Sequence, residues 1–112
     1  MKTQEEIRKI LEEQFYENVL NFHIAVIRRC YSVDDFLRRV REIINNAVCS
    51  ISEEKKKRKA VKLTLNDAYT KIRDLHMLAL QEAISLDAFQ KRKKDIIYNA
   101  AGMINFDLSR NV

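Results

Sequence analysis

Two histidines are present, His23 and His76, and each stands seven residues after a tyrosine, Tyr16 and Tyr69. Seven residues is about two helical turns, so on a helix each tyrosine shares a face with its histidine. Two such faces brought together set two imidazoles side by side, a pair able to ligate a metal or hold a phosphate. The metal chemistry of helical bundles uses a Glu three residues before the His. Those positions hold Leu20 and Arg73, and further ligands are lacking. An Arg-x4-His ribonuclease site is equally absent, because positions 18 and 71 are Asn18 and Lys71. The expected arrangement is a Tyr–His pair at the edge of the core, hydrogen-bonded across helices, with no metal and no cofactor.

No other residues form a catalytic set. Cys30 and Cys49 have no Cys/His arrangement, and a single glycine, Gly102, excludes a glycine-rich phosphate loop. In the alignment below the two cysteines match Ala83 and Gly102, so close packing is expected around them. About fifteen helical residues separate them, too far for an internal disulfide. Free thiols suit a reducing, cytoplasmic setting, and the N-terminal residues lack the apolar core of a signal peptide. No apolar run reaches the length of a membrane span. The chain is therefore expected to be a non-enzyme.

Charge is the remaining candidate for function. The net charge is +5; residues 1–52 hold eight basic and eight acidic side chains, residues 53–112 thirteen and eight. The excess thus lies wholly in the second half, which favours an anionic partner or simply a well-solvated surface. Candidate anion or nucleic-acid contacts are Arg28, Arg29, Arg38, Arg39, Arg41, Lys55, Lys56, Lys57, Arg58, Lys59, Lys91, Arg92, Lys93 and Lys94. Arg39, Glu42 and Asn46 share a strip at i, i+3, i+7, as do Arg92, Asp95 and Asn99. An Arg–acid pair explains most of each strip, and mid-helix Asn46 and Asn99 become candidates for a protein contact or a cross-helix hydrogen bond.

Long helices must position these residues, because proline is absent and the turn chemistry of sheets is missing. Thr3 and Glu6 form a capping box, after which Ile7, Leu11, Phe15, Val19, Phe22, Val26 and Cys30 make one apolar stripe. Ser32 opens a second helix, with Phe36, Val40, Ile43, Ile44, Ala47 and Ile51 inward. A third follows Glu53 and Glu54, which are placed to pair with Lys57 and Arg58. Its stripe is Val61, Leu65, Ala68, Ile72, Leu75 and Ala79. Thr64 and Asp67 allow a break there, and Leu75–Leu80 is apolar nearly all round, as if contacted on several sides. Ser85 starts a fourth helix, with Phe89, Ile96, Ile97, Ala100 and Ile104 inward and fraying expected after about Asn105.

The second and fourth helices are copies of each other. Placing residue n on n+53 aligns 32–51 with 85–104 without a gap. Identities fall at Ser32/Ser85, Asp34/Asp87, Phe36/Phe89, Arg39/Arg92, Ile43/Ile96, Ile44/Ile97, Asn46/Asn99, Ala47/Ala100 and Ile51/Ile104. Lys9/Lys62, Tyr16/Tyr69 and His23/His76 match in the same frame. The expected fold is all-α: a single-domain four-helix bundle over residues 1–112, made from two tandem helical hairpins, 1–52 and 53–112, about a pseudo-two-fold with period 53. Its expected function is binding, as a small basic adaptor or regulator acting through protein contact. The alternative is a sequence-independent DNA or RNA binder using Lys/Arg of the second hairpin.

Overall fold

The computed structural model describes residues 2–110, and these form four helices. The first, α1, is a continuous rod of three parts: Gln4–Ile10, a π-helical segment Leu11–Tyr16, and Glu17–Arg28. The others are α2 (Val33–Ile51), α3 (Lys55–Leu80) and α4 (Leu86–Ser109). Connections of three to five residues make sequence neighbours antiparallel. Adjacent pairs pack α1 on α2, α2 on α3, α3 on α4 and α4 back on the first turns of α1. Helices α1 and α3 therefore face each other across the diagonal, which is where their tyrosines and histidines meet.

Helix starts follow the local chemistry. Thr3 and Glu6 exchange both capping-box hydrogen bonds, and the Ser32 and Ser85 hydroxyls accept from the amides of Asp35 and Ala88. The α3 start differs from the expected ion pairs. Lys57 Nζ donates to the Leu108 carbonyl at 2.7 Å and lies 3.8 Å from Glu54, while Arg58 Nε donates to the Ser52 carbonyl at 2.9 Å. Two cations of the basic run thus hold helix ends together rather than facing solvent alone.

The apolar stripes of α2 and α3 are inward as expected, from Val40 to Ile51 and from Val61 to Leu75. Helix α3 does not break at Thr64, which is buried within the uninterrupted helix. Nor does α4 fray after Asn105: it runs to Ser109 and buries Leu108, while Phe106 is exposed. Cys30 and Cys49 are both exposed free thiols, against the expected close packing. Cys30 lies past the end of α1, where the stripe no longer has a helix to carry it.

The π segment was not anticipated, and it has a clear cause. Ile7, Leu11, Phe15 and Val19 recur in steps of four, which outruns a helix of 3.6 residues per turn. Wider winding over Leu11–Tyr16 removes that drift and keeps all four side chains buried. It also sets the phase of everything that follows, including His23.

Helix α3 ends in a Schellman motif: the amide of Ala83 donates to the Leu78 carbonyl and that of Glu82 to Ala79. Glu82 occupies the left-handed position at φ 53°, where glycine is usual, whereas the lone glycine, Gly102, sits inside α4. A methyl on Gly102 would meet only the Gln4 amide nitrogen at 3.6 Å, an ordinary contact. Glu82→Gly and Gly102→Ala should therefore each stabilise the fold by about 0.5–1 kcal/mol, read from urea midpoints. Val40→Lys should cost several times that, roughly 3 kcal/mol, because it buries an unpaired charge.

Candidate functional site

Tyr16, His23, Tyr69 and His76 form one hydrogen-bonded chain between α1 and α3. The Tyr16 hydroxyl lies 3.0 Å from His76 Nε2, the two Nδ1 atoms of His23 and His76 are 2.7 Å apart, and His23 Nε2 lies 3.0 Å from the Tyr69 hydroxyl. The expected cross-helix Tyr–His pairing is present twice, joined by a histidine–histidine bond. Phe36 of α2 lies parallel to the His23 ring, with centroids 6.5 Å apart, and Phe89 of α4 stands likewise to His76 at 6.0 Å.

The central contact fixes the protons. With both rings neutral, one Nδ1 donates and the other accepts, so the two imidazoles are opposite tautomers. All four groups then point their protons one way along the chain: a tyrosine donates at one end, and the other tyrosine accepts. One added proton can be taken up at the Nε2 that accepts from a tyrosine; that hydroxyl then turns to accept in its place, and the single proton between the two Nδ1 atoms stays. A second would set two N–H groups against each other and break the bond.

Burial pushes His76 down to about 4, with His23 and Lys93 contributing in that order. His23 is lowered by burial and then by Arg73. Burial raises Tyr16 to about 12, with a smaller contribution from Glu17, and raises Tyr69 as well, against an opposing effect of Arg73. The charged neighbours of the histidines are cations, so an imidazolium has no carboxylate to stabilise it. The chain is suited to staying neutral and rigid. No group of three or more His, Cys, Asp or Glu side chains able to hold a metal occurs among the described residues.

Above the histidines, at the end of the bundle carrying the α1–α2 and α3–α4 connections, lies an apolar cavity of about 420 Å³. Leu20, Ile24, Val26 and Ile27 of α1 face Arg73, Met77, Ala79 and Leu80 of α3, with Phe36 and Phe89 from the other two helices. The apolar run Leu75–Leu80 is thus not covered on several sides: Met77, Ala79 and Leu80 are exposed at this opening. The all-round hydrophobicity of that run marks an unfilled space rather than contact on several sides. Ile27 and Leu80, together with Val33 and Leu86 at the starts of α2 and α4, are more than half exposed.

The charged candidates are dispersed. Arg39 pairs with Glu42 at 3.1 Å, as the first strip implies, whereas Arg92 and Asp95 of the second form no ion pair among the described residues; Arg38 pairs with Asp35 at 2.7 Å, and Arg41 donates to the Leu37 carbonyl. Arg28, Arg29, Lys55, Lys56, Lys59, Lys91, Arg92 and Lys94 are exposed, whereas Lys57 and Arg58 are half-buried and engaged as described. Lys93, a candidate anion contact, is half-buried with its ammonium 4.5 Å above the Tyr16 ring. Its long stem lets the charge reach an aromatic face. Asn46 and Asn99 are exposed, and neither side chain makes a cross-helix hydrogen bond among the described residues. Asn99 lies with Arg92, Asp95 and Lys71 along a shallow groove between α3 and α4.

Both histidines hold protons less readily in the folded chain than in the unfolded one. Between about pH 6.5 and pH 4 the unfolded chain binds protons that the folded chain refuses, so stability is full above this window and falls as pH drops through it. Urea unfolding between pH 8 and pH 5, above the main carboxylate range, should show that loss, and His76→Gln should flatten it despite lower stability at pH 8. An unchanged slope would assign the acid sensitivity elsewhere. Comparison with family models, with curated proteins and with solved structures finds no match to this chain.

Proposed function

We propose that this is a non-enzymatic helical binding protein that works through protein contact, with the open end of the bundle as its contact face. The observation that carries the reading is the apolar cavity whose walls include the exposed side chains Ile24, Ile27, Met77 and Leu80. Apolar side chains gathered round a concavity mark interaction sites more often than isolated ones do. Arg28 and Arg29 follow Ile27 directly in the chain and are exposed. The Tyr–His chain supports a scaffold role: every ring nitrogen and both hydroxyl oxygens are bonded within it instead of being presented to a substrate.

The same contacts support a duplicated hairpin in a single domain. Tyr16–His76 and Tyr69–His23 are one interaction written twice with a 53-residue offset, as are Phe36 on His23 and Phe89 on His76. The paired cavity walls Ile24/Met77 and Ile27/Leu80 keep that offset. On this reading the pseudo-two-fold axis passes between the two Nδ1 atoms and out through the cavity. Exposed, unpaired thiols at Cys30 and Cys49 fit an intracellular setting. Among the described residues no helix is long and apolar enough to cross a membrane.

Affinity capture from cells, with and without nuclease, tests the proposal. Partners should survive nuclease and be lost with Ile27→Glu/Leu80→Glu, which alters exposed positions and leaves the fold intact by circular dichroism. Capture that nuclease abolishes, and that Lys55→Gln/Lys56→Gln/Lys59→Gln weakens while flattening the salt dependence by about one unit per lost phosphate contact, would instead establish nucleic-acid binding.

A further inference from the structure

We propose that the cavity at the open end is itself a ligand site, and that it takes a small single-chain amphiphile with a carboxylate head, such as a medium-chain alkyl carboxylate. This goes beyond protein contact, since the rim can meet a protein while the interior holds a molecule of its own. Three observations lead to that chemistry.

The first is size and lining. About 420 Å³ lies toward the lower end of the roughly 300–1,000 Å³ typical of small-molecule pockets, room for one short chain and not for a two-chain lipid. The walls are branched aliphatic, thioether and phenyl groups, and Met77 and Leu80 are flexible enough to shape themselves to an alkyl chain.

The second is the floor. His23 and His76 line the cavity, yet every ring nitrogen is already bonded, to the other histidine or to a tyrosine. No polar atom of the floor waits for a ligand partner, so the buried end of the ligand is apolar.

The third is charge. Among the described residues Arg73 is the one charged side chain lining the cavity, at the position matched by Leu20 on the facing helix. Its guanidinium touches only Asp74, the next residue, at 3.2 and 3.4 Å, and both side chains are at least half exposed. An exposed pair of this kind is weak and easily exchanged. A planar guanidinium at an apolar edge suits a carboxylate, which it can hold with two parallel hydrogen bonds. The head group therefore sits at Arg73 and the chain runs inward toward the histidines.

Calorimetric titration of the purified protein at pH 8 with decanoate, methyl decanoate and decylammonium, each below its micellar concentration, tests this. Decanoate should bind one to one. Ala79→Trp, which adds bulk at an exposed cavity wall, should weaken it roughly tenfold or more, about 1.4 kcal/mol. Leu20→Phe, on the opposite wall, gives the same test should Ala79→Trp disturb the fold in a thermal melt. Arg73→Gln should weaken decanoate several-fold and leave methyl decanoate unchanged. Absence of one-to-one decanoate binding overturns the proposal, as does indifference to both cavity-filling variants. Decylammonium or the ester binding as tightly as decanoate overturns the assignment of the carboxylate to Arg73. No partner protein is present in the titration, so a negative result leaves the protein-contact reading intact.

Discussion

The constraint on which the interior depends is the need to satisfy four polar side chains inside an apolar bundle. Tyr16, His23, Tyr69 and His76 come from two helices that otherwise meet only across the diagonal, and each solves the other's burial. A hydroxyl or imidazole left unpaired there would cost about 1–3 kcal/mol. Because the chain runs Tyr–His–His–Tyr, losing any one link leaves a neighbour unsatisfied, and the position of α1 against α3 is specified by polar geometry rather than by apolar area alone. No buried side-chain nitrogen or oxygen is left without a partner among the described residues.

That geometry explains two features that look unrelated. The π segment of α1 lets Ile7 through Val19 stay on the core side and still delivers Tyr16 and His23 to the diagonal in the right phase. The open end follows from the same layer. With the imidazoles sealing the centre and Phe36 and Phe89 lying along them, the side chains beyond, from Ile24 to Ile27 and Met77 to Leu80, have no fifth element to cover them. The bundle closes around its polar layer and leaves apolar surface outside it, the physical basis for placing recognition there.

Charge plays a more local part than composition implies. Several cations are tied down: Arg38 and Arg39 in ion pairs one turn along the helix, Lys57 and Arg58 on carbonyls at helix ends, Lys93 over a tyrosine ring. A count of lysines and arginines cannot distinguish these from the exposed Lys55, Lys56 and Lys59, because a long side chain's partner depends on what the fold brings within its reach.

The sequence by itself determined the helices, their caps and most of the core. Capping boxes and apolar periodicity are local properties, set by hydrogen-bonding needs at helix ends and by side-chain phase along one rod. It also picked out the Tyr and His pairs, because their spacing repeats. Only the tertiary structure decided that the two histidines bond to each other through their Nδ1 atoms, and that Leu75–Leu80 faces an unfilled cavity instead of a neighbour. Those facts depend on how far apart two helices sit and how they are rotated. Such distances arise from the packing of all four helices together, including a widened turn near Phe15 that no single residue type announces.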